Sequence, residues 1–168
     1  MFQRKQWLKR SVAWKYDKNM ARAIKILLLN GPNLNLLGSR EPEIYGKATL
    51  QDHTAAASQA AVAAGFTLDA FQSNSASELV DKIHDARTKY SAIIINPGAF
   101  THYAWSISDA LNAFDGPVVE VHISNPQSRE SWRHTSVVAP VAIGTIAGFG
   151  QQSYVLGVQA IAYYLDNN

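Results

Sequence analysis

The amino-acid sequence predicts an α/β fold, a flavodoxin-like doubly wound five-stranded parallel sheet with helices on both faces. Short apolar runs alternate with stretches of helical periodicity along the body of the chain, which is the pattern of repeated β-α units. The run AIII at 92–95 is entirely apolar, as expected for a central parallel strand that is covered on both faces. Neither an internal repeat nor a low-complexity linker interrupts the pattern.

Each element is indicated by a local signal. Thr49 can cap a first helix that Gly65 ends, and Ser75 or Ser77 can cap a second. The dipeptide Gly116-Pro117 prepares the fourth strand. The predicted strands are 24–29, 66–71, 92–95, 118–123 and 141–147. The predicted helices are 49–64, 75–89, 103–113 and 153–165, with a short helical turn at 129–134.

The composition limits the class of protein. The chain has 168 residues, of which 47% are hydrophobic and 17% charged, so it is long enough for one folded globular domain with a sizeable core. It contains no cysteine, which excludes disulfides, thiolate catalysis and cysteine-ligated metals. The lack of cysteine fits a reducing compartment, and we expect a cytoplasmic protein.

The N-terminal extension, residues 1–22, differs in charge from the rest. Residues 1–19 hold six basic residues and one acidic residue, whereas 20–168 hold nine basic and twelve acidic residues. The body is therefore mildly acidic, and we do not expect nucleic-acid binding. We expect the extension to be dispensable, with Met20 as a natural start. A basic amphipathic helix that touches a membrane surface or a partner is the alternative, because Trp7 and Trp14 lie one heptad apart.

The segment LLLNGPNLNLLGSREPEIYG at 27–46 begins as a buried strand and ends as a polar loop. Asn33 lies in its tight turn, at the end of a strand where ligands bind in open α/β sheets. Arg40 and Tyr45 follow between two glycines, in a loop that can move. A guanidinium close to a phenol favours the phenolate, which can act as a base.

Polar residues also follow the other strands of the predicted sheet. The third strand leads to Asn96 and His102, and the fourth carries Glu120, His122 and Ser124 near its end. Because these strand ends converge on one crevice, they indicate a site for a small, oxygen-rich anion. Two arginines of the next turn complete the candidate set: Arg129 and Arg133.

Several of these residues have an ordinary structural explanation as well. His122 could be a satisfied strand histidine, although Glu120 two residues earlier points to the same face and could fix its tautomer. The whole role of His102 could be to cap the third helix. Arg129 and Arg133, at helical i, i+4 spacing, could form a solvated face or a clamp for a carboxylate. His53 we expect at the surface.

The sequence lacks the usual motifs of metal and cofactor sites. There is no HExxH, no GxGxxG and no GxxxxGK[ST]. The lysines are expected to lie outside the crevice, so no residue is indicated for a Schiff base. We therefore expect no metal and no cofactor.

Several motifs together resemble a known family. NGPNLNLLGSREPEIYG, FQSN, INPGAFTHYAWSISDAL, VEVHISN and the spacing R-x-x-x-R are similar to those of type II 3-dehydroquinate dehydratases, in the same order from about residue 23 to 165. The resemblance implies a flavodoxin-like fold and a single catalytic domain at 23–168. It also implies a cofactor-independent hydro-lyase of the shikimate pathway, which reversibly dehydrates 3-dehydroquinate to 3-dehydroshikimate through an enolate.

The resemblance implies a role for each candidate residue. Tyr45 would remove the proton alpha to the ketone, Arg40 would keep Tyr45 anionic, and Asn33 would hold a water that stabilises the enolate. His122 would protonate the departing hydroxyl, with Glu120 orienting it. The positions implied for substrate binding are Asn96, His102, Asp109, Ile123, Ser124 and Arg133, and the position implied for lid support is Arg129.

The family also implies a homododecamer of four trimers, in which Asp109 contacts substrate across a subunit boundary. We expect the protein to bind its small-molecule substrate, and we expect neither a nucleic acid nor a membrane as a partner. The alternative from another functional class is a non-catalytic flavodoxin-like module that binds a small anion.

Overall fold

The computed structural model describes residues 24–39 and 46–168. The predictions for the N-terminal extension, residues 1–22, lie outside the described residues. Within them, five parallel strands form one sheet in the order β2-β1-β3-β4-β5. The strands are β1 Lys25–Asn30, β2 Thr67–Gln72, β3 Ala92–Asn96, β4 Val118–His122 and β5 Gly144–Ala147. This order is that of the flavodoxin-like doubly wound sheet, so the predicted fold class is confirmed.

Four α-helices connect or close these strands within the described residues. They are α1 Leu50–Ala63, α2 Ala76–Lys89, α3 Trp105–Asn112 and α4 Gln152–Asn167. The predicted caps of the first two are confirmed. Thr49 accepts a hydrogen bond from the Asp52 backbone while Asp52 accepts one from Thr49, forming a capping box, and Ser75 caps α2.

The helices cover both faces of the sheet, two on each. Successive side chains of a strand point to opposite faces, and β1 divides accordingly. Ile26 and Leu28 pack in a core with α1 and α4, whereas Leu27 and Leu29 pack in a second core with α2 and α3. Because β1, β3 and β4 are covered on both sides, their residues are almost all buried. The three strands form a rigid base for the loops at their carboxyl ends.

The differences from the predicted boundaries have local causes. The fifth strand was predicted over 141–147, but it begins at Gly144 because Ala139–Val141 forms a 3-10 turn that contains Pro140. The third helix begins at Trp105, since Gly98–His102 forms a separate 3-10 helix before it. Among the described residues, we find no helix that combines the length and the apolar character of a membrane span.

Candidate active site

A cavity of about 130 Å³ lies at the carboxyl ends of β1, β3 and β4. Open α/β sheets bind ligands at this edge. The cavity lies at the topological switch point between β1 and β3, where the order in which strands are added to the sheet reverses. The residues that line it are Pro32, Asn33, Leu34, Leu37, Asn96, Gly98, Ala99, His102, His122, Ile123, Ser124, Pro126, Arg129, Trp132 and Arg133. Apolar side chains shape the cavity, while amide, imidazole, hydroxyl and guanidinium groups supply its polar contacts.

The turn after β1 brings the first wall of the cavity close to the turn after β3. A Cβ atom on Gly31 would lie 2.1 Å from the carbonyl oxygen of Pro97, so only glycine permits this approach. Asn33 adopts a left-handed conformation with φ of 64°, which asparagine tolerates better than most residues. Its backbone N–H donates to Asn74 Oδ1 at 2.9 Å, and this bond holds the turn in place.

Glu120 is the buried polar centre behind the cavity. Its side chain is fully shielded from solvent, and it accepts hydrogen bonds from Thr101 at 2.5 Å, Ser136 at 3.0 Å and Thr145 at 3.2 Å. Burial by itself raises the pKa of the Glu120 carboxyl, but the hydrogen bonds from His122, Thr101 and Ser136 outweigh burial and hold the pKa below its usual value. Glu120 is therefore a buried carboxylate.

His122 lies between this carboxylate and the cavity. Its Nε2 is 2.9 Å from Glu120 Oε1, because residues two apart on β4 point to the same face of the sheet. Only Nε2–H can donate to the carboxylate, so Glu120 fixes both the orientation of the ring and the tautomer of the neutral imidazole. Nδ1 is then the ring nitrogen that can exchange a proton with a molecule in the cavity, which His122 lines.

The outer rim of the cavity is cationic and aromatic. The guanidinium of Arg133 lies over the ring of Trp132, 4.0 Å from its centroid, and Arg133 Nε is 2.7 Å from Glu130. His102 packs edge-on against the same ring, with Nδ1 2.7 Å from the carbonyl oxygen of Thr135. The amphipathic Trp132 therefore holds one cation and one imidazole at the mouth of the cavity.

The comparisons with known proteins agree on one family. The family model for class II dehydroquinase matches residues 24–162. The chain belongs to the class II dehydroquinase family. A 3-dehydroquinate dehydratase of Streptomyces coelicolor is 56% identical over 138 residues, which are 82% of this chain and 88% of that protein. One of Caldicellulosiruptor bescii is 50% identical over 143 residues, which are 84% and 99% of the two chains.

A solved dehydroquinase shares the fold as well. The crystal structure of the type II dehydroquinase from Propionibacterium acnes matches with a TM-score of 0.80 and 40% sequence identity, covering 84% of this chain and 99% of that one. The resemblance that the sequence motifs indicated is thereby confirmed over nearly all of the described residues.

Most of the residues predicted for the dehydroquinase site lie together in the structure. Glu120 stands directly behind His122, and the others line the cavity: Asn33, Asn96, His102, His122, Ile123, Ser124, Arg129 and Arg133. Arg40 and Tyr45 lie outside the described residues. Asp109, on α3, is exposed and does not line the cavity. Among the described residues there is no cluster of acidic or histidine side chains that could hold a metal ion.

Two details of the sequence interpretation are wrong. Arg129 and Arg133 do not share a helical face, since Arg129 has an extended backbone and the 3-10 turn begins only at Ser131. They meet at the rim through Glu130 instead, which lies 3.6 Å from Arg129 and 2.7 Å from Arg133. His53 is not at the surface but almost fully buried, because its ring stacks on Tyr154 of α4.

The sequence interpretation also missed residues that shape the candidate site. The hydroxyls that hold Glu120 come from three separate segments, and no local motif connects them: Thr101, Ser136 and Thr145. Trp132 was missed too, although its place between Ser131 and Arg133 in the predicted turn was a usable signal. Gln72 and Asn74 do not line the cavity; they bond the turn after β1, at Gly31 and Asn33.

Proposed function

We propose that this chain dehydrates 3-dehydroquinate to 3-dehydroshikimate, a step of the shikimate pathway of aromatic amino acid biosynthesis. The observation that carries the proposal is the His122–Glu120 pair, in which His122 lines the cavity at the strand ends. The chain that holds this pair belongs to the class II dehydroquinase family. The relatives named 3-dehydroquinate dehydratase match over nearly their full length, so the proposal covers the whole reaction of those proteins.

In this proposal His122 is the general acid of the elimination. The bond between carbon and the hydroxyl oxygen breaks, and the leaving oxygen takes the proton from Nδ1 of the doubly protonated ring, so that water departs. Glu120 balances the positive charge of that ring from 2.9 Å. A hydroxide ion is a poor leaving group, and a positioned acid of this kind commonly contributes about 10²–10⁴-fold in rate.

The base that begins the reaction is proposed to be Tyr45. It would remove the proton alpha to the ketone, and Arg40 would favour the phenolate form that this step needs. Asn33 would hold a water molecule against the enolate oxygen. The left-handed turn at Asn33 supports this role, because Asn33 lines the cavity at this turn.

The remaining cavity residues are proposed to bind the substrate. 3-Dehydroquinate carries a carboxylate, a ketone and several hydroxyls, which suit a cavity that presents amide, imidazole and guanidinium groups. The proposed substrate contacts from this chain are Asn96, His102, Ile123, Ser124 and Arg133. Arg129, which also lines the cavity, is proposed to support the lid, the loop that carries Arg40 and Tyr45.

We also propose an oligomeric state and a cellular location for the enzyme. Four trimers would form a dodecamer in which the exposed Asp109 reaches a neighbouring subunit's substrate. Light scattering should then give about twelve times the chain mass of 18.4 kDa, and a fully active monomer would contradict this. The enzyme would act in the cytoplasm, without a metal or cofactor.

Ultraviolet absorbance tests the proposed reaction, because the product has a conjugated enone and the substrate does not. Purified protein should convert 3-dehydroquinate in a metal-free buffer that contains a chelator. Tyr45→Phe keeps the ring and removes the ionisable oxygen, so substrate binding should survive while kcat falls by roughly 10²–10⁴-fold. Binding of 3-dehydroquinate by the unaltered protein without any enone product would instead indicate a non-catalytic binding module.

A further inference from the structure

Two asparagines that end neighbouring strands are joined by one residue of the last helix. Asn30 ends β1 and Asn96 ends β3; they are paired in register, and both are buried. Between them lies the hydroxyl of Tyr154, which α4 carries into the core from one face of the sheet. Tyr154 is completely buried, and it is not among the residues that line the cavity.

The direction of the two hydrogen bonds is fixed by the chemistry of a phenol. Tyr154 donates its single hydrogen to Asn30 Oδ1 at 2.8 Å and accepts one from Asn96 Nδ2 at 2.9 Å. Burial raises the pKa of the Tyr154 hydroxyl well above its usual value, so the hydroxyl keeps that hydrogen at neutral pH.

The other end of the Asn96 amide is fixed as well. Asn96 Oδ1 accepts a hydrogen bond from the backbone N–H of Gly98 at 3.1 Å. With the oxygen bonded to Gly98 and one N–H bonded to Tyr154, the amide plane cannot turn over without losing both bonds. An amide nitrogen has two hydrogens, so the second N–H of Asn96 is the group that this cavity-lining residue can offer to a ligand.

We infer that Tyr154 is a positioning residue for substrate binding, which makes Asn96 present a hydrogen-bond donor to a hydroxyl or carbonyl oxygen of the ligand. This inference rests on the proposed function, in which Asn96 contacts the substrate. Without the Tyr154 hydroxyl, the buried amide loses its acceptor, and the flipped orientation would present an oxygen to the ligand.

Tyr154→Phe tests the inference, because it keeps the ring and its packing and removes only the hydroxyl. We expect KM for 3-dehydroquinate to rise about tenfold, the worth of roughly one hydrogen bond, with kcat changed less than twofold. Tyr163→Phe on the same helix is the matched control, since Tyr163 is 73% exposed, and it should leave KM and kcat unchanged.

A double-mutant cycle separates positioning from a general loosening of the fold. If Tyr154 acts through Asn96, Tyr154→Phe should change KM less than twofold in a chain that already carries Asn96→Ala. Should Tyr154→Phe not fold, Asn30→Ala replaces it in the cycle, because that change removes the acceptor that orients the hydroxyl; a KM rise of about threefold is then expected.

The outcomes distinguish this inference from the proposed function. A protein that does not turn over 3-dehydroquinate at all would contradict the proposed function. The positioning role of Tyr154 would be overturned if the protein is active and Tyr154→Phe leaves KM unchanged. It would also be overturned if the effects of Tyr154→Phe and Asn96→Ala on KM multiply independently. Either result would leave the proposed function standing. The same readings apply to Asn30→Ala if it is used.

Discussion

His53 offers a direct test of how burial affects the stability of this fold. Its side chain is 1% exposed, its ring stacks on Tyr154 at 5.3 Å between centroids, and neither ring nitrogen has a hydrogen-bond partner among the described residues. An unsatisfied buried polar group costs about 1–3 kcal/mol. We therefore expect His53→Leu, which keeps a similar volume, to stabilise the protein.

The size of the effect follows from the contacts that change. Loss of two unsatisfied nitrogens is worth about 2–6 kcal/mol, and loss of the stacking on Tyr154 offsets about 1 kcal/mol. Incomplete filling of the site by leucine offsets about 1–2 kcal/mol more. These figures sum to between about −1 and +4 kcal/mol. We expect the free energy of unfolding to rise by an amount near the middle of that range, about 1.5 kcal/mol at pH 7.5.

The effect should also depend on pH. Burial lowers the pKa of His53 in the folded state below its ordinary value of 6.5. The unfolded chain then binds more protons than the folded one as the pH falls through about 6.5, so the native protein loses stability there. His53→Leu removes this loss, and the difference in stability between variant and native protein should widen from pH 7.5 to 5.5.

Urea unfolding at both pH values, at one protein concentration, measures the difference. His84→Leu is the control, because His84 lies on the exposed face of α2 and should give neither the gain in stability nor the change with pH. Destabilisation by His53→Leu, or a difference that stays constant with pH, would refute the reasoning.

The remaining predictions concern Glu120, the first helix cap and the N-terminal extension. Glu120→Gln should lower kcat about 10²-fold with little change in KM. Since the pKa of Glu120 is lowered in the folded state, the native protein should also lose more stability than this variant as the pH falls below about 4.5. Thr49→Ala removes the capping box of α1 and should cost about 1 kcal/mol in urea unfolding, with Ser39→Ala, outside any helix, as the control. A chain that begins at Met20 should keep full activity and melting temperature; a large loss of either would show that the extension contributes to the fold or assembly.

The sheet and helices were predictable because their signals are local. The apolar run of β3 and the caps at Thr49 and Ser75 each lie within a few consecutive residues, and the structure has each element within three residues of its predicted ends. The pairing of His122 with Glu120 was predictable for the same reason, since residues two apart on a strand share a face.

Most of what the sequence analysis missed lies in contacts between distant segments. Tyr154 shares a buried helical face with Val158 and Ile161, so its burial could have been foreseen. Its bonds to Asn30 and Asn96 could not, because they span 124 and 58 residues of sequence. For His53 a signal was present but unused: it lies four residues before the buried Ala57, on the same face of α1.

The central claim is that the His122–Glu120 pair catalyses the elimination of the hydroxyl and not the first proton transfer. Hydrogen exchange in His122→Ala tests this claim most directly. In deuterated buffer, NMR of 3-dehydroquinate follows loss of the proton alpha to the ketone, and absorbance follows the enone product. We predict that His122→Ala still exchanges this proton while product formation falls by roughly 10²–10⁴-fold. Product formation near the native rate, or equal loss of exchange and product, would contradict the account.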